Sequence, residues 1–572
     1  MRLLFIIALL MSITGLSYAQ TDGGGYLLDM VHHNPGEALT KSDFNNPSFL
    51  KAEGYNGIVI NDFTFAHTAI TFDSFDKRIF PVGSKERTWV LNTAEKVRQN
   101  IRNAHLAGLK AYYFTDIIVL PKSLVALYQK DICDENGKIS FERPKTIEIH
   151  RLMFKELFKT FPDLDGLVIR TGETYLNNVP YHTGNNPITN GVESHVKLLE
   201  LLKEEVCDSL NKTVFYRTWS FGGMHDNPDY YLKVTNQITP DKNLIFSIKH
   251  TQGDYHRTFN FNPTLGIGQH KQIVEVQCQR EYEGKGAYPN YIAKGVIDGF
   301  EEYQQLYPQK KLACLNDFKS FPQYAGLWTW SRGGGWVGPY ISNELWCRLN
   351  ADILNQWAQH PQKSEESIFY DWTSKNGMDK ADAQNFRKLA LLSAKAVLRM
   401  HESAKYRFDK NWVWWTRDEF LGGTEAGAPL KAILDSLNKT GKTKIAIAEK
   451  YEAVKIWEQI VSLSKHIKMN NEKDAHYIRV SSEYGLLLSQ IIAEGWQILA
   501  WGNAGNYNHQ KMQNAIARYD NYWKLYRQLK EEEPSCATLY KPFSFEFVGP
   551  LYHGEAGMDA SISRFRVNKI SK

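Results

Sequence analysis

The sequence predicts an α/β protein: a (β/α)8 barrel over residues 21–350, followed by a mostly α-helical C-terminal domain over 351–572. Three observations lead there. First, eight short β-rich runs alternate with helical stretches: Tyr26–His33, Tyr55–Asp62, Leu109–Asp116, Leu164–Glu173, Thr213–Trp219, Leu244–His250, Gln272–Glu281 and Tyr324–Arg332. Near-continuous apolar strands separated by amphipathic stretches such as Asn92–Ala107, Ile147–Thr160 and Val192–Leu210 read as a parallel sheet covered on its outer face. Eight such units read as a sheet closed on itself. Second, each run starts apolar and ends polar or aromatic, as in His32-His33, Thr115-Asp116, Lys249-His250 and Trp330-Ser331-Arg332. In a barrel of this kind the C-terminal strand ends line the functional mouth. Third, the texture changes after Asn350: Lys380–Arg407, Thr443–Lys468, Ser481–Gly502 and Asn514–Glu533 repeat apolar residues at three- and four-residue spacing, the pattern of helices.

The first twenty residues stand apart from this plan. Arg2 supplies a positive start, Leu3–Leu10 an apolar core, and Ser17-Tyr18-Ala19 small residues before Gln20, which together read as a cleavable secretory signal. The expected location is periplasmic or secreted. No later stretch approaches the roughly 18 apolar residues of a membrane span. The net charge of +5 suits an acidic substrate, but no dense Lys/Arg run marks a nucleic-acid groove. The six cysteines are scattered and include no CxxC pair, so neither a zinc site nor a dense disulfide framework is indicated, although an oxidising compartment would allow one or two disulfides.

Three carboxylates fall at or just beyond strand ends: Glu173 after the fourth run, Asp254 in the loop after the sixth and Glu281 at the end of the seventh. On a barrel these converge on one mouth, and paired carboxyl groups are what glycoside hydrolysis needs, one to protonate the leaving oxygen and one to activate water or attack the sugar. Arg170, Arg217 and Lys249 stand at neighbouring strand exits and suit an anionic sugar, or neutralise the nearby acids, or do both. Tyr175, Tyr181, Trp219, Trp328, Trp330 and Trp336 supply rings on which sugar faces pack. The Gly333–Gly335 tract follows the last strand without a Lys-Ser/Thr ending and is a rim loop, not a phosphate cradle. His32-His33, His250 and His256 form no recognised metal spacing, and no GxSxG elbow marks a serine hydrolase. The expectation is that no cofactor or metal takes part.

At these residues the chain resembles the family 67 glycoside hydrolases, the α-glucuronidases. Lys249-His250-Thr251-Gln252-Gly253-Asp254 is similar to that family's sixth-strand motif, in which a Lys precedes a catalytic Asp by five residues. Gln279-Arg280-Glu281-Tyr282-Glu283-Gly284 is similar to its seventh-strand motif, Asp165–Glu173 to the fourth-strand motif carrying the acid, and Arg217 to a substrate-binding Arg after the fifth strand. The resemblance covers residues 26–375. It departs from the family in lacking the usual N-terminal β-rich domain, in having Arg170 where a Lys is usual, and in the Gly333–Gly335 loop.

The resemblance implies an exo-acting, inverting enzyme that releases an α-linked glucuronic acid, or a related uronic acid, from polysaccharide-derived oligosaccharides. Glu173 would be the acid, and Asp254 with Glu281 would activate the water. Arg170, Arg217 and Lys249 would hold the uronate carboxylate, with His33, Trp219 and Trp330 completing the sugar pocket. The expected partner is this oligosaccharide, with no nucleic acid and no membrane, and the helical domain offers a face for a homodimer. Three alternatives stay open: hydrolysis of another acidic sugar such as galacturonic acid, a polysaccharide lyase, and a non-catalytic carbohydrate-binding relative of an enzyme.

Overall fold

A computed structural model describes residues 25–36, 38–219, 223–309, 312–334, 342–405, 424–533 and 562–566. The expected signal segment, Trp336 and Cys536 lie outside the described residues.

All eight expected strands form, and they close into one parallel barrel. We number them β1 Tyr26–His32, β2 Gly57–Ile60, β3 Lys110–Asp116, β4 Gly166–Arg170, β5 Thr213–Arg217, β6 Leu244–Lys249, β7 Lys271–Gln277 and β8 Tyr324–Gly333. Each pairs with its sequence neighbours, and β8 pairs with β1 to complete the ring. A small antiparallel ribbon, Val119–Pro121 with His182–Gly184, joins the loops after β3 and β4. Alternate residues of a strand face opposite sides of the sheet, so each barrel strand contributes to two cores. Leu28, Met30, Val59, Tyr112, Phe114, Val168, Phe215, Ile245, Ile273, Trp328 and Trp330 fill the barrel interior. The other parity packs outward against helices such as Lys85–Leu106, Pro144–Thr160 and Gly191–Leu202, the last continuing as a π-helical turn over Lys203–Ser209.

Beyond the barrel, Leu345–Gln359 packs back on β8, and Glu365–Lys375, Lys380–His401, Thr443–Ser464, Glu472–Ala504 and His509–Glu532 follow as antiparallel helices. The division at residue 350 therefore falls inside a helix that still belongs to the barrel wall. The helix expected from Ser481 starts at Glu472, because the Asn471 side chain accepts hydrogen bonds from the backbone N–H groups of Lys473 and Asp474, and it ends at Gly505 with φ +70°. The helix expected to reach Arg407 stops at His401, where Glu402 leaves helical geometry. Trp457 and Trp496 are fully buried among these helices, and Gly485 leaves room for the Trp457 ring, which a Cβ there would meet at 2.5 Å. No helix among the described residues is long and apolar enough to cross a membrane. The five described cysteines, Cys133, Cys207, Cys278, Cys314 and Cys347, are buried and unpaired.

Candidate active site

The interior parity becomes polar in its upper layers. Following the inward residues toward the C-terminal ends, Leu28-Met30 leads to His32, Phe114 to Asp116, Val168 to Arg170 and Phe215 to Arg217. In the same way Ile245 leads to Ser247 and Lys249, and Ile273 to Glu275 and Gln277. The charged residues are therefore buried side chains of the barrel and owe their position to backbone register.

Asp116 and Arg170 are register partners on β3 and β4, and the guanidinium donates from Nε and Nη2 to the two carboxylate oxygens at 2.6 Å each. Burial disfavours the Arg170 charge, but Asp116 outweighs it and holds the guanidinium protonated. The Tyr175 backbone N–H also donates to Asp116, at 3.1 Å, which pins the loop after β4. Within that loop Gly172 has φ +99°, a left-handed turn that glycine adopts at little cost, and the chain brings Glu173 back to 3.5 Å from Arg170 Nη1. The Glu173 side chain is about a third exposed and faces the mouth.

Arg217 on β5 donates from Nε to both oxygens of Glu275 at 2.9 Å, and Ser247 Oγ donates to the same carboxylate at 2.8 Å. Its guanidinium lies 4.7 Å from the centroid of the Trp330 ring and 5.7 Å from that of Phe114, the ring it shares with Arg170. Lys249 on β6 donates to Asp254 Oδ1 at 2.6 Å and sits 3.8 Å from the Trp219 ring centroid and 5.6 Å from that of Trp330. Asp254 Oδ2 accepts from the Tyr282 hydroxyl at 2.5 Å. Burial alone would raise the Asp254 pKa, but the Lys249 charge, the hydrogen bonds from Lys249 and Tyr282, and His256 together hold it well below the usual carboxylate range.

Glu281 is buried beside these groups. Its backbone N–H donates to Gln277 Oε1 at 2.8 Å, and Gln277 Nε2 donates to its Oε2 at 3.4 Å. Gly334 closes over this pair: a Cβ there would stand 2.8 Å from Glu281 Oε2, and its φ of +79° is a further reason for glycine. All three expected acids, the three cations, Trp219 and Trp330 thus gather at one mouth.

Three features differ from the expectation or were absent from it. Each cation is already paired with a carboxylate, so the neutralising role holds for all three. His33 does not face this cluster; its Nδ1 accepts from the Thr40 backbone N–H at 2.9 Å, and burial draws its pKa down to about 4. His32 takes that place, stacked on Trp330 at 4.8 Å and kept neutral by burial and by Arg217, Arg170 and Lys249. Asp116, Glu275, Tyr255 and Tyr282 were also missed, and a period-two count from the apolar residues of each strand would have found the first two. Among the described residues no group of three or more His, Cys, Asp or Glu side chains could hold a metal.

A buried ion pair that loses one partner costs about 3–5 kcal/mol. Glu275→Leu is therefore expected to lower the unfolding free energy in urea by about that amount, and Arg217→Met in the same chain to restore most of it. A single variant as stable as the parent would mean that Arg217 does not depend on Glu275.

No protein-family model matches the chain, and no curated protein matches it by sequence. Among solved structures it is similar to a GH138 enzyme targeting pectin rhamnogalacturonan II, with a TM-score of 0.57 at 13% identity, covering 95% of this chain and 66% of that one. CpGH84B matches with a TM-score of 0.39 at 8% identity over 95% of this chain and 77% of that one. The O-GlcNAc hydrolase of Thermobaculum terrenum matches with a TM-score of 0.38 at 8% identity over 95% and 94%. These two are too distant to carry an argument, and the first shows a shared architecture, the (β/α)8 barrel followed by helices.

Proposed function

We propose that the protein is an exo-acting glycoside hydrolase that releases an α-linked uronic acid from polysaccharide-derived oligosaccharides by an inverting acid/base reaction. One observation carries this reading. Around the Trp330 ring, Arg217 Nη2, His32 Nδ1 and Trp330 Nε1 are buried without a hydrogen-bond partner, and Lys249, the partner of Asp254, lies 5.6 Å from the same ring centroid. Buried polar groups are almost always satisfied, so such a set calls for an oxygen-rich ligand, and an unspent guanidinium N–H beside a neutral imidazole suits a carboxylate. Glu173, the most solvent-accessible of the three acids, would protonate the glycosidic oxygen. Asp254, kept ionised, would with Glu281 take a proton from the attacking water, which adds to the anomeric carbon from the opposite face and yields the β-anomer. The N-terminal signal would send the enzyme out of the cytoplasm, with residues 21–350 as its catalytic unit.

Glucuronic acid is the first reading of the sugar. A second, galacturonic acid, is favoured by the likeness to an enzyme targeting pectin, whose main acidic sugar it is. The two differ only in the orientation of the 4-hydroxyl group.

Proton NMR of digests of glucuronic-acid-capped xylan fragments and of galacturonic-acid-capped pectin fragments tests the proposal. Free uronic acid appearing first as the β-anomer is expected. The α-anomer first would overturn inversion, an unsaturated product absorbing in the ultraviolet would indicate a lyase, and no release from either substrate would overturn the hydrolase reading. Glu173→Ala is expected to slow substrates with poor leaving groups by roughly 10²–10⁴-fold and activated aryl uronides far less. Equal losses on both would exclude Glu173 as the acid. Lys249→Met removes the charge that depresses Asp254, so the Asp254 pKa rises and the acid-side limb of kcat/KM moves to higher pH. An unmoved limb would assign the base role to Glu281.

A further inference from the structure

Two consecutive residues of the helical region contact the loops that carry the mouth acids. The helix Lys380–His401 ends against the loops that follow β6 and β7, the loops that carry Asp254 and Glu281. Glu402 accepts a hydrogen bond from the Thr258 hydroxyl, four residues after Asp254. His401 Nε2 pairs with the Tyr288 hydroxyl at 2.7 Å, seven residues after Glu281. Both contacts are fully buried. The tip that makes them is itself held from one further helix, and the loop after β7 from another. Lys450 Nζ, on Thr443–Ser464, donates to the backbone carbonyls of Arg399 and Glu402 at 2.9 and 2.5 Å and lies 4.6 Å from the Trp496 ring centroid. Tyr477, on Glu472–Ala504, donates from its hydroxyl to the Gly286 carbonyl at 2.8 Å.

The barrel's own helix Glu301–Leu306 grips the first loop from the other side. Glu302 pairs with Arg257, and Tyr303 donates to the Phe259 carbonyl at 2.6 Å. The loop therefore has anchors at Arg257, Thr258 and Phe259, and among these only Thr258 is held from beyond the barrel.

We propose that His401 and Glu402 are positioning residues, through which the helical region clamps the β6 and β7 loops and sets Asp254 and Glu281 in register with the mouth. Neither residue touches the mouth itself. The clamp explains why a buried carboxyl stands at a helix end, where an apolar residue would pack at lower desolvation cost. Burial lifts the Glu402 pKa to about 7, so its carboxyl is readily uncharged, and a glutamine can replace it as the acceptor for Thr258. The catalytic consequence rests on the reading given under Proposed function, while the clamp itself does not.

Two measurements on the full chain separate these. In hydrogen–deuterium exchange, Glu402→Ala and Thr258→Val are expected to speed exchange in residues 250–262, with Glu402→Gln matching the parent. On a uronide that the parent turns over, Glu402→Ala should lower kcat by roughly tenfold to a hundredfold with KM nearly unchanged, the size of effect seen when a reacting group is displaced by about 1 Å. Glu402→Gln should recover that loss. Unchanged exchange in Glu402→Ala would overturn the clamp. Faster exchange with an unchanged kcat, or a loss that Glu402→Gln shares, would overturn the positioning role. A parent inactive on every uronide would sink the proposed reaction instead, and the exchange comparison would still decide the clamp.

Discussion

Closing eight parallel strands into a barrel forces every second residue inward, and each charged strand residue at the mouth depends on that alternation. The lower inward positions are apolar and fill the interior with Val168, Phe215, Ile245 and Trp328. The upper ones are Asp116, Arg170, Arg217, Lys249 and Glu275, which owe their places to strand register and not to loop conformation. A shift of one residue in any of these strands would replace its charge with an outward-facing neighbour and turn the charge toward the outer core. The mouth is thus built on the stiffest part of the molecule.

Burying so many charges would be prohibitive if any stood alone, and the structure resolves this by pairing. Asp116 with Arg170 joins two adjacent strands, Glu275 with Arg217 reaches past β6 to join β5 and β7, and Asp254 with Lys249 ties a strand to its own loop. Aromatic rings complete the environment: Arg170 lies 4.6 Å from the Tyr175 ring centroid, and Arg217 and Lys249 share Trp330. Pairing consumes some donors and leaves others. Arg217 spends Nε on Glu275 and retains a buried Nη2, so one side chain both links two strands and leaves a donor unspent inside the barrel.

The loops beyond the strands have no ladder to hold them, and the molecule supplies other anchors. Gly172 and Gly334 permit turns that a side chain would strain or block. The small ribbon ties the loops after β3 and β4 together. The loops after β6 and β7 are held by hydroxyl and carboxyl contacts from helices on both sides, including those of the C-terminal region. The loops that carry Asp254 and Glu281 therefore lie in direct buried contact with the helical region.

The barrel was legible in the sequence because a strand with a polar exit recurs eight times, with helical stretches between several of them. Glu173, Asp254 and Glu281 could be named for the same reason: they stand at or just past strand ends, where a local reading suffices. The helix boundaries at Glu472 and His401 were not, since one turns on a cap outside the apolar pattern and the other on a side chain that leaves its helix for Thr258. Nor were the partners of the charges. A period-two count turns Glu275 and His32 inward, but nothing local says which groups they meet there. The sequence alone determined which strands exist and which ends face the mouth, because those follow from periodicity along the chain. Only the tertiary structure decided which charges are spent on one another and which donors remain unspent, because that depends on register between strands far apart in sequence.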